Sequence, residues 1–186
     1  YFGYKTGDLM NASLTAAQKA LVANYNAGYF TGAVAADSSK TANFAKTDGF
    51  TSKAATVSFE GAFAVNYYFA PNAAVTGDMT LYIWTPEAYA SAARLTSTNA
   101  STVTMVKQSN GTYWAQLEGI PAKALDSTYY VAATYTDTAG NHHCTGVIAY
   151  SLSKYCMGKA ADSTMGALAR ATAMYGYYAG QYFANN

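Results

Sequence analysis

Any chemistry in this chain must be assembled from few parts. Of its 186 residues only 11% are charged, two are histidine and two are cysteine. His142-His143-Cys144 is the one cluster of metal-ligating types. Neighbours on a strand point to opposite faces, so only His142 and Cys144 would share a side. Zinc takes three or four convergent ligands, and no C-x-x-C or H-x-x-x-H spacing supplies the rest. The cluster therefore reads as hairpin residues facing water and core, with no metal. Serine is abundant, yet no G-x-S-x-G elbow presents one to a base. Paired carboxylates for glycoside cleavage stand about 5–9 Å apart, and nothing in the spacing of Glu60, Glu87, Glu118 and Asp126 brings two together. The sequence predicts no enzyme and no cofactor.

Aromatic side chains are the other chemical resource. Trp84, Trp114, Tyr82, Tyr113, Tyr67, Tyr89 and Tyr135 lie in or beside predicted strands. Sugar rings present axial C–H faces that stack on aromatic planes, and Trp and Tyr combine an apolar body with a polar handle. If Leu81 and Ile83 face the core, alternation displays Tyr82 and Trp84 on the other side. Tyr113 and Trp114 divide in the same way, one inward and one outward. The expected ligand-binding set is thus Trp84, Tyr82, Trp114 and Tyr113, with Gln116 and Asn66 exchanging hydrogen bonds with hydroxyls. Aromatics at period two also make ordinary core and cross-strand pairs. Tyrosine-rich surfaces with Ser, Gly and Asn recognise proteins as well. A polysaccharide or host glycan is the first expectation for a partner. A protein-binding adhesin or a structural spacer is the alternative.

Composition narrows the setting. The net charge of +1 carries neither a nucleic-acid footprint nor an acidic tail. No run of 18 apolar residues exists, so no membrane-spanning helix is predicted. Low charge with abundant Ala, Thr, Ser, Asn and Tyr suits a secreted or surface-displayed module. Cys144 and Cys156 are too few for a disulfide framework; two buried free thiols are expected, a bridge being the alternative.

The elements that must position these residues are mostly strands. Thr56–Glu60 alternates, Ala62–Phe69 is rich in β-formers, and Met79–Trp84 alternates before Pro86. Glu87–Leu95 has room for one helical turn or two. Val103–Lys107 and Thr112–Leu117 flank Asn110-Gly111, both residues of which accept positive φ, so a hairpin is predicted. Tyr129–Thr136 and His142–Ile148 flank a second hairpin turn at 137–141. Helices are expected at both ends. Thr15 and Gln18 have capping-box spacing ahead of a helix reaching about Tyr25. A helical hairpin should cover the strands, its first helix running from Ala149 to Met157 and stopping at Gly158. Asp162 or Ser163 would cap the second, which runs to Phe183 with Leu168, Thr172, Tyr175, Ala179 and Tyr182 on one face. The predicted fold is mainly β, an immunoglobulin-like or jelly-roll-like β-sandwich with an N-terminal helix and a C-terminal helical hairpin. One domain, 1–186, would comprise a lead-in (1–53), a sandwich (54–148) and the hairpin (149–183).

Three stretches carry a resemblance. Gly119 to Val131 (GIPAKALDSTYYV) resembles the IPxIxAxDLDxxYxV stretch of large multidomain surface proteins of gut Clostridia. Tyr150 to Tyr155 (YSLSKY), followed by Tyr175 to Phe183 (YGYYAGQYF), resembles their YSxxxYxxxxL … YGxAAQxYF close. Tyr1 to Thr15 looks like the lead-in that follows such a close, and Gly61 to Phe69 matches more weakly. Cys144, Cys156 and the tyrosine enrichment depart from the pattern. The resemblance implies an extracellular, non-catalytic module in a string of modules, in contact with its neighbours. It transfers no site residue.

Overall fold

Alternation along β2 (Phe63–Pro71) fixes which side of the sheet is the inside. Val65, Tyr67 and Phe69 are buried, while Asn66 and Tyr68 between them are only half-buried. The structure is a computed structural model and describes residues 15–17, 20, 24–59 and 62–185. The protein is mainly β, with two antiparallel sheets. β1 (Phe50–Ser58), β2, β6 (Tyr113–Ile120) and β5 (Val106–Lys107) make a four-stranded sheet in the order β1-β2-β6-β5. The other sheet has five strands. Its path is β4 (Ser101–Thr104), β3 (Val75–Trp84), β7 (Tyr129–Asp137) and β8 (His142–Cys144), and β9 (Ile148–Tyr150) also pairs with β7.

One predicted strand is really two. Residues 103–107 were expected to run as a single strand, yet Val103 pairs with Leu81 in the five-stranded sheet and Lys107 with Tyr113 in the four-stranded one. The chain changes sheets at Met105, which is buried in the core. The hairpin at Asn110-Gly111 forms as predicted, with Gly111 at φ 82° and the Asn110 Oδ1 accepting from the Thr112 N–H at 3.0 Å. β1 also begins earlier than expected, at Phe50, because it pairs along nearly the whole length of β2.

The main core lies on the inward faces. Val65, Tyr67, Phe69, Tyr113 and Ala115 come from one sheet, and Met79, Leu81, Ile83, Val131, Ala133 and Tyr135 from the other. Leu152 and Cys156 of α2 (Leu152–Lys159) and Ala169, Ala173 and Met174 of α3 (Gly166–Ala184) belong to the same cluster. A short α1 (Pro86–Ser91) occupies part of the predicted 87–95 excursion, and the Thr85 hydroxyl caps it by accepting from the Ala88 N–H at 3.2 Å.

The helical boundaries and faces differ from expectation. Residues 148–150 are a strand because Tyr150 and Ala149 pair with Tyr129 and Tyr130. The helix therefore starts at Leu152, with the Ser151 hydroxyl accepting from the Lys154 N–H at 3.1 Å, and Gly158 falls inside it. Asp162 accepts from the Thr164 and Met165 N–H groups, both at 2.9 Å, but holds the turn ahead of α3, which begins at Gly166. The buried residues of α3 are Gly166, Ala169, Thr172, Ala173, Met174 and Gly176, while Tyr175 and Tyr182 are exposed. At Gly176 the face admits no side chain, because Leu125 comes so close that a Cβ there would lie 2.7 Å from its Cβ. The predicted N-terminal helix from Thr15 to Tyr25, and the resembling lead-in before it, lie largely outside the described residues.

Both cysteines are free and buried, Cys156 in the main core and Cys144 in a second cluster. Burial pushes the Cys156 thiol up to about 12, so it remains an inert thiol at neutral pH.

Candidate functional site

The six residues expected to bind a ligand are divided among four environments. Trp84 has none of its surface exposed. Both sides of its strand are buried only at this end: Leu81 and Ile83 face the main core, and Trp84 faces a second cluster with Phe44, Leu95, Tyr130 and Ala132. Phe44 meets the Trp84 ring edge-on at 4.8 Å, and the indole N–H donates to the Asn99 Oδ1 at 2.8 Å. Alternation correctly turned Trp84 away from the main core. It could not say that residues 36–44 and 85–100 would fold over that outer face. Trp84 is thus a structural residue and not a stacking surface. Tyr113 is corrected as well, since it points inward from β6 into the main core.

Residues 36–44 hold this roof through several bonds. The Leu95 N–H donates to the Lys40 carbonyl at 2.9 Å, the Asp37 N–H to the Tyr89 hydroxyl at 2.6 Å, and the Asn43 amide to the Leu95 carbonyl at 2.9 Å. Beneath it Tyr89 stacks on Tyr130 with centroids 3.6 Å apart. Burial and the neighbouring Tyr89 raise the Tyr130 phenol above its ordinary range.

Trp114, Gln116 and Asn66 do come together. They lie on the outward face of the four-stranded sheet, where Asn66 is the register partner of Gln116 and Tyr68 that of Trp114. The Trp114 indole N–H donates to the Asn66 Oδ1 at 3.1 Å, which fixes the ring across two strands. All four side chains are half-buried, with Ala54, Thr56 and Val106 exposed around them. Register partners stand roughly 5 Å apart at Cβ, so Tyr68 and Trp114 form one aromatic row beside an amide row. Such a surface can stack on the apolar face of a ring and offer donors and acceptors along its edge. Tyr68 was missed, although the signal was there: counting by twos from Asn66 puts Tyr68, and not Tyr67, on the outside.

Tyr82 goes elsewhere. Half-buried on the outward face of the five-stranded sheet, it lies 5.0 Å from Phe44 and lines a cleft of about 700 Å³. Thr80, Thr134, Thr136 and His142 share the floor of that cleft with it.

The His142-His143-Cys144 cluster separates as strand geometry requires. Among the described residues, no group of three or more His, Cys, Asp or Glu side chains converges on a metal position. His143 turns to Asp137, its Nε2 2.9 Å from the Asp137 Oδ2, while its ring stacks on Tyr135 at 4.6 Å. The Asp137 carboxylate also accepts from the Ala139 and Asn141 N–H groups and from the Asn141 amide. These bonds, the one to His143 first, hold its carboxyl well below the usual carboxylate range. Both Asp137 side-chain oxygens are thus engaged within the hairpin, which they clamp. Among the described residues, no helix is long and apolar enough to cross a membrane.

No family model matches the chain. No curated protein matches it. Among solved structures, it is similar to a Br derivative of BhCBM56, a carbohydrate-binding module, at 16% identity, with 57% of this chain and 96% of the other covered and a TM-score of 0.38.

Proposed function

We propose that this protein is a non-catalytic, extracellular binding module that holds a polysaccharide or host glycan on the outward face of its four-stranded sheet. One observation carries the reading: Trp114 and Tyr68 sit side by side on that face, with Asn66 and Gln116 beside them. Trp114 and Tyr68 would stack on successive sugar faces of an extended chain. Gln116 would exchange hydrogen bonds with hydroxyls, and Asn66 would hold the indole in place. Display on a bacterial surface, within a string of modules, rests on the sequence resemblance to the surface proteins of gut Clostridia. A second reading, contact with a neighbouring module or another surface protein, is favoured by the exposed aromatics towards the two ends of the chain. Tyr178 and Phe183 of α3 and Tyr29 are each about half exposed or more, and Tyr29 stacks on Tyr177 at 5.0 Å.

Affinity electrophoresis against starch, cellulose, xylan, pectin and mucin tests the glycan reading. Retardation on at least one of them is expected, lost in Trp114→Ala and weakened in Tyr68→Ala, with both variants melting as cooperatively as the parent. Migration unchanged on every glycan, or retardation indifferent to both substitutions, would sink it and leave the protein-contact reading.

A further inference from the structure

The roof over the five-stranded sheet is incomplete. It covers Trp84, Tyr130 and Ala132 and stops short of the next rows, where the cleft of about 700 Å³ opens between residues 42–47 and 96–97. Its floor is a threonine array. Thr80 and Thr134 are register partners on β3 and β7, and Thr136 pairs with His142 on β8. The Thr136 hydroxyl and the His142 Nδ1 lie 2.9 Å apart and satisfy each other. Among the described residues, the hydroxyls of Thr80, Thr134 and Tyr82 have no protein partner, so they are free to serve a ligand. The Tyr82 ring is braced by Phe44 at 5.0 Å and stacks on Trp84 at 6.3 Å, which fixes its orientation at the rim.

We propose that this cleft is a second binding site, for a neutral sugar unit or the end of a short neutral oligosaccharide. The ligand class follows from the lining. A hydroxyl both donates and accepts, so two unpaired threonine hydroxyls can match a sugar hydroxyl in either sense. The Tyr82 ring offers the apolar plane that a sugar face needs. Among the described residues, no Lys or Arg lines the cleft, and the one carboxylate that does, Asp78, opposes an anion. Phosphate, sulfate and uronate groups are disfavoured on those grounds. The volume falls within the range of about 300–1,000 Å³ usual for small-ligand sites. Walls on two sides suit a terminal or short ligand, whereas the open row at Trp114 suits an extended one. The proposal takes no support from the platform at Trp114, which lies on the other sheet.

Amide shifts of the whole protein, followed by NMR, test it. The probes are methyl α-glucoside, methyl β-galactoside and N-acetylglucosamine, with galacturonic acid as the anionic comparison. At least one neutral sugar should shift the amides of 78–82 and 134–136, and galacturonic acid should not. Thr80→Val with Thr134→Val removes both hydroxyls yet keeps β-branched strand formers; it should weaken the neutral sugar at least tenfold with the melting curve retained. Trp114→Ala should leave these shifts unchanged. No shift from any neutral sugar, shifts that survive the double valine substitution, or equal binding of galacturonic acid would overturn the cleft. Polysaccharide retardation that depends on Trp114 would survive that result, so the two sites fail separately.

Discussion

The two tryptophans of this protein make the same bond in opposite settings. Each gives its indole N–H to an asparagine Oδ1, Trp84 to Asn99 at 2.8 Å and Trp114 to Asn66 at 3.1 Å. Each also sits on the outward face of a sheet. Asn99, however, belongs to the loop that folds over the five-stranded sheet, while Asn66 stands on the strand next to Trp114. The first bond closes a roof, and the second pins a ring on an open floor. One outward face became a second hydrophobic core with Phe44, Leu95 and Tyr130. The other kept its aromatics beside water, where a ligand can reach them. An outward aromatic is therefore a binding candidate only where no other part of the chain has claimed it.

The largest effect expected from breaking this contrast is on Trp84. Trp84→Ala should cost about 3–5 kcal/mol in urea denaturation, as the loss of a fully buried aromatic does. A cost below about 1 kcal/mol would mean that the roof does not pack on it. Phe44→Ala should follow at about 3 kcal/mol, and it should also uncover Trp84. Iodide quenching reads this directly. The parent should show one accessible and one protected tryptophan, and the variant two accessible ones. Trp114→Ala should cost about 1 kcal/mol or less, the scale of a cross-strand pair, while removing glycan retention. If Trp114→Ala destabilised the protein as much as Trp84→Ala, the open face would be a misreading.

The last effect is confined to acid. Asp137 has a folded-state pKa lowered chiefly by its bond to His143, so its contribution is fully present above the ordinary Asp value of about 3.9. As pH falls below that value toward the folded one, the carboxylate is protonated and the contribution is lost. The melting temperature of the parent should therefore fall more steeply below pH 4 than that of Asp137→Asn, which should already melt lower at pH 7. Parallel acid limbs would show that the clamp at the end of β7 adds nothing.

Much of the strand framework was legible. The alternation of Leu81 and Ile83 with Tyr82 and Trp84 gave the correct side of that strand, while that of Tyr113 with Trp114 gave opposite sides without saying which of the two is inward. Asn110-Gly111 gave a correct turn. Strand ends were less legible, because Phe50 and Tyr150 join their sheets through partners distant in sequence. The helical face of α3 was misread because spacing favoured Leu168, Tyr175 and Tyr182, whereas the packed helix buries Ala169, Ala173 and Met174 and brings Gly176 against Leu125. Of the candidate site, Trp114, Asn66 and Gln116 could be read from type and period, and Tyr68 could have been.

Local sequence thus determined where most strands lie, where the chain turns and the alternation of side chains along each strand, since steric preference and a two-residue period act over a few residues. Tertiary structure alone decided which outward face stays open. Covering Trp84 depends on segments some 40 residues before it and 15 after it closing together through Phe44, Leu95 and Asn99. No local pattern encodes whether such a closure will meet its partner, and that closure separates a core tryptophan from one that can bind.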